Sequence, residues 1–75
     1  MLIYKLSQDL VSGYDTYNSC VVIAPTEERA KEISIRELNR YSSKCWADNP
    51  NYIKAELIGG SSLPEQLVLA SFNAG

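Results

Sequence analysis

The densest reactive chemistry in the chain is Tyr14-Asp15-Thr16-Tyr17, which places two phenols, a hydroxyl and a carboxylate within four positions. A Tyr–Asp pair can move protons once burial or a charged neighbour shifts a pKa. Its two aromatic faces can also stack on a planar ligand such as a nucleobase. The same residues suit a plain turn, with Asp15 and Asn18 making local hydrogen bonds and the tyrosines lying over a sheet end. A second candidate is Gly59-Gly60-Ser61-Ser62. Gly-rich turns can present backbone N–H groups to an anion. No Lys follows, however, so the stretch does not match a nucleotide-binding P-loop, and its ordinary reading is a flexible hairpin connection between strands.

Other reactive groups are sparse. The chain has no His, which removes the usual general base, the imidazole metal ligand and the triad member. Cys20 and Cys45 form no CxxC pair and have no His to complete a zinc site. Cys20 opens the apolar run Cys20-Val21-Val22-Ile23-Ala24, where a free thiol behaves as a small buried hydrophobe. No Asp/Glu pair has metal-ligand spacing. The expectation is therefore a non-enzymatic protein without a metal or other cofactor.

The elements that position these residues belong to one domain, 1–75. Hydrophobic residues make up 45% and charged residues 21%, which is too apolar for a disordered chain. No apolar run approaches the roughly 20 residues that span a bilayer. No basic region precedes an apolar N-terminal stretch, so a signal peptide is not expected and the cytoplasm is the expected compartment. The net charge of −2 argues against direct nucleic-acid binding through a basic stripe.

Residues 2–8 alternate, with Leu2, Tyr4 and Leu6 on one face and Ile3, Lys5 and Ser7 on the other, as in a half-buried strand. Residues 9–19 read as a loop, and residues 20–24 as a short strand with both faces apolar. Pro25-Thr26-Glu27-Glu28 is a helix start: Thr26 can cap, and the two acids meet the positive end of the dipole. The helix is expected to run to about Ser42, with Ala30, Ser34, Leu38 and Tyr41 on its apolar face. Residues 52–58 alternate again, and 67–72 form a second nearly unbroken apolar strand.

The expected fold is α+β: ββαββ, a four-stranded antiparallel sheet with one helix on one face. Placing the non-alternating strands in the middle gives the order 1-2-4-3. A single helix about 10 Å wide covers one face of such a sheet and leaves the other open. Apolar side chains then face outward whichever parity holds. One parity exposes Val21 and Ile23 with Leu67 and Leu69. The other gives Val22, Ala24, Val68, Ala70 and Phe72, which are named here as the interface. An apolar patch of this kind on so small a domain marks an interaction surface. It predicts a homo-oligomer, most simply a dimer packed through sheets. In a competing reading, Trp46 and residues 43–51 fold over the open face.

Gly13-Tyr14-Asp15-Thr16-Tyr17-Asn18-Ser19, an apolar strand, an Ala-Pro helix start and the terminal Ser71-Phe72-Asn73-Ala74-Gly75 resemble a group of small uncharacterised proteins of bacteriophages and prophages. The sequence departs from that group at Asn18, where an acidic residue is usual. The resemblance brings no activity with it, but small non-enzymatic phage proteins often act in counter-defence. It implies two mechanisms. In the first, a homo-oligomeric sponge sequesters a host nucleotide immune signal: Tyr14 and Tyr17 stack on the base, Asp15 and Thr16 line the pocket, and Thr26, Gly60 or Ser61 bind phosphate. In the second, an anti-CRISPR-like protein blocks a host effector by direct protein binding, with Asp9 and Asp15 facing its basic channel.

Overall fold

A computed structural model describes residues 1–11, 16–40 and 45–73, with the backbone alone at the last two of these. The elements in chain order are β1 (Leu2–Ser7), β2 (Thr16–Ala24), α1 (Glu27–Leu38), a 3-10 turn (Pro50–Tyr52), β3 (Lys54–Gly60) and β4 (Gln66–Asn73). They form an open antiparallel sheet of four strands with one helix on one side, an α+β fold of ββαββ order.

The helix starts where its chemistry dictates. Thr26 has extended backbone angles, and its Oγ1 accepts the N–H of Arg29 at 3.2 Å, satisfying one orphan donor of the first turn. Ala30, Ile33, Ser34 and Leu38 recur at helical spacing and are all buried against the sheet. The helix is shorter than its composition suggests. It stops at Leu38 because Asn39 is the cap, its N–H reaching the Ile35 carbonyl at 3.3 Å and its Oδ1 accepting the Trp46 N–H at 3.0 Å.

Under the helix, Tyr4 and Leu6 of β1 sit opposite Val22 and Cys20 of β2, and Ala24 continues the row. Trp46, Ala47 and Ile53 complete this core. Trp46 is wholly buried on the helix side, and its indole N–H donates to the Ser34 hydroxyl at 3.0 Å. That hydroxyl in turn donates to the Lys31 carbonyl at 2.7 Å, so both polar groups are satisfied in the dry interior. Trp46 therefore does not fold over the open face, as the competing reading required.

The strand order is β3-β1-β2-β4. The pairs β1–β2 and β2–β4 are as expected, but β3 lies beside β1 instead of β4. The expectation had read alternation as the mark of an edge. Alternation reports a difference between two faces, and a central strand alternates when one face of its sheet is wet. β1 is such a strand. The residues between β3 and β4 consequently cross the end of the sheet from one edge to the other. Three strand spacings are about 14 Å, within reach of the five residues Ser61 to Glu65. Two ties hold this crossing. The Ser61 N–H donates to the Met1 carbonyl at 2.9 Å and the terminal ammonium to the Ser61 carbonyl at 3.1 Å, while Arg29 grips Glu65 with bonds of 2.6 and 3.1 Å. β2 is also longer than expected. It begins at Thr16, with Tyr17 in register with Phe72 and a bulge at Asn18.

Candidate binding surface

The register fixes what the side opposite the helix presents. Lys5 of β1 sits between Val21 of β2 and Glu56 of β3, and Val21 in turn sits opposite Leu69 of β4. One row along, Ser7, Ser19 and Ser71 face the same way, with Lys54 beside Ser7. A groove of about 310 Å³ runs between Lys5, Ser19, Val21, Leu69 and Ser71. A second depression of about 250 Å³ lies across Lys5, bounded by Ser7, Lys54 and Glu56. Leu69 is 67% exposed, although it stands on a strand of the sheet. This side thus carries two apolar walls, a central ammonium and a rim of hydroxyls. Counting Lys5 and Lys54 against Glu56, it is positive by one on a chain whose net charge is −2.

The interface residues named from sequence divide between the two sides. Val22 and Ala24 are fully buried beneath the helix and Ala70 packs at the edge of the same core, so the parity chosen for them is reversed. Val68 is exposed on β4. Phe72 lies on β4 in register with Tyr17, and its side chain falls outside the described residues. The other parity holds at Val21 and Leu69 but not at Leu67, which packs against the helix-side core because a bulge at Val68 shifts the alternation of β4, and Ile23 is buried where β1 and β2 meet at Ile3. Lys5 stands near the centre of this side, on a strand paired on both edges. The signal was present in the polar half of the β1 alternation.

The expected ligand residues do not converge. Tyr14 and Asp15 lie outside the described residues. Thr16 is buried and Tyr17 half-buried at one end of β2, where the Gln8 amide donates to the Tyr17 and Val11 carbonyls at 2.9 and 2.8 Å. Thr26 follows the opposite end of β2, about 23 Å away along the strand. Gly60 and Ser61 share that far end, with Gly60 an ordinary strand residue paired with Leu2. Two N–H groups there are engaged within the chain: the Ser61 N–H on the Met1 carbonyl, and the Arg29 N–H on the Thr26 cap. A single copy therefore makes no nucleotide pocket from Tyr17 together with Thr26, Gly60 and Ser61.

Burial pushes the Cys20 thiol up to about 12, which keeps it neutral and inert beneath the helix. The hydrogen bonds from Arg29, more than its charge, hold the Glu65 carboxyl below the usual carboxylate range. Among the described residues no group of three or more Cys, Asp or Glu is placed to hold a metal ion. No helix among them is long and apolar enough to cross a membrane. No protein-family model matches the chain, and no curated protein or solved structure matches it either.

Proposed function

We propose that the chain is a non-enzymatic protein-binding module, and that its contact surface is the open side of its sheet. The role we assign is the phage-type one of blocking a host effector by direct contact. One observation carries the reading. The helix, Trp46 and Ile53 all pack on the same side of the sheet, leaving the Val21–Leu69 groove and the Lys5 ammonium uncovered among the described residues. An apolar groove with a polar rim is the anatomy of a protein-interaction patch. The central cation selects a partner that offers an apolar side chain beside a carboxylate. Sequestration of a nucleotide by Tyr17 with Thr26, Gly60 and Ser61 is the weaker reading, because the Ser61 and Arg29 N–H groups at that end are already engaged within the chain.

The test is to express the chain in bacteria carrying an RNA-guided defence system, and to score both phage plaquing and retention of the system's effector on the tagged protein. Wild type is expected to restore plaquing and retain the effector. Val21→Lys and Lys5→Glu, both on the open side, are expected to lose both while staying folded. Variants as active as wild type overturn the assignment of the surface. A rise of several degrees in melting temperature with one member of a nucleotide panel, without effector retention, transfers the function to sequestration.

A further inference from the structure

We infer that β4 is a pairing edge for the β4 strand of a second copy, so that two chains form one continuous eight-stranded sheet. β4 is an outer strand, and the backbone N–H and C=O groups of alternate residues point away from β2. Soluble proteins protect such edges with charges, Pro or irregular pairing. Both outer strands carry a bulge, at Ile58 on β3 and at Val68 on β4, but only β3 adds charges, Lys54 and Glu56. Gln66–Asn73 is eight residues long and contains no charge, no Pro and no Gly. Val68 and Leu69 stand on it 51% and 67% exposed.

An unbroken apolar run is what a strand needs when both its faces are covered. As the edge of a single copy, β4 has no use for it. The nearest carboxylate, Glu65, is already engaged by Arg29, so the strand meets solvent as a neutral strip. That strip argues for a second copy as the occupant. The surplus acids of the chain lie elsewhere, among them Glu27, Glu28 and Glu32 on the helix. Two copies of an acidic protein can therefore approach through β4 without like-charge contacts. Antiparallel self-pairing about a two-fold axis perpendicular to the sheet is isologous, sets like faces side by side and brings no charged residue of either strand into the pair. It also leaves the open side of each sheet free and merges the two into one surface. The inference thus goes beyond the proposed function and stands or falls separately from it.

The test combines light scattering with amide hydrogen exchange over a range of protein concentrations. Wild type should show twice the monomer mass, and amide exchange in 66–73 should slow as concentration rises while exchange in 54–60 stays unchanged. Leu69→Lys sets a lysine near its own copy across the pair and should weaken association roughly tenfold or more. Glu56→Lys, on the other edge, should leave the mass unchanged. If Leu69→Lys fails to fold, exchange in the wild type decides. A wild type that stays monomeric at every concentration overturns the inference. So does a dimer unaffected by Leu69→Lys, or one whose slowed amides lie on β3. A monomer whose β4 amides are protected only by an added extended peptide assigns the edge to another protein and overturns it equally.

Discussion

Val21 and Val22 are neighbours on one strand, chemically identical, and they occupy opposite environments. Val22 is sealed under the helix with Leu6, Tyr4 and Trp46, whereas Val21 borders a groove beside an ammonium and three hydroxyl-bearing residues. The helix side holds the main core; on the other side burial is confined to the end where Ile23 meets Ile3. An apolar residue on the helix side is explained by the core of a single copy. On the open side and along β4, Val68 and Leu69 have no such explanation, and exposed apolar residues gathered on one surface indicate contact with another molecule.

If the two sides differ in this way, substitutions should separate them. The largest effect is expected at Trp46. Replacing it with Ala empties the core and removes the donor to Ser34, at a cost of about 3–5 kcal/mol, close to the whole stability of a domain this small. Urea unfolding measures it, and a wild-type midpoint would contradict the placement of Trp46 on the helix side. A paired comparison of two leucines comes next. Leu6→Ala should cost about 2–5 kcal/mol, whereas Leu69→Ala should stay within about 0.5 kcal/mol when measured on the monomeric protein. Equal losses would mean that the open side is a second core.

The smallest effect concerns the tie across the sheet end. Because Arg29 lowers the pKa of Glu65, the folded state holds this carboxylate more readily than the unfolded chain does. The added stability is present above the ordinary value of 4.5 and is lost as pH falls through the lower folded value. Glu65→Gln should therefore melt slightly below wild type at neutral pH, and the gap should close in acid. Both side chains are partly exposed, so the difference will be modest and weakened by salt.

Much of this arrangement was legible in the sequence. The Thr26 cap and the spacing of Ala30, Ser34 and Leu38 gave the helix and its buried face. The alternation of Leu2, Tyr4 and Leu6 gave the buried half of β1. The place of β3 was not legible, because it depends on a crossing loop tied to Met1 and Arg29, contacts that span 60 and 36 residues. The parity of β2 was hidden for a different reason. A run in which every residue is apolar carries no alternation, so only its register with β1 decides that Val22 faces inward. Trp46 was ambiguous because its neighbourhood lacks periodicity. Its partner on the helix, Ser34, looked like a small residue on an apolar stripe before the structure placed the indole against it. Of the residues suggested for a ligand, those the structure describes were joined by chemical type and sit at opposite ends of β2.

The claim that the sheet has one sealed and one open side can be tested directly by thiol labelling of two single substitutions, Val21→Cys and Val22→Cys, in a chain carrying Cys45→Ser. Cys20 is a silent background, being buried and protonated up to about pH 12. The thiol at position 21 should react orders of magnitude faster than the one at 22, and the gap should disappear in denaturant. Equal rates in the folded protein, or faster reaction at 22, would contradict the claim.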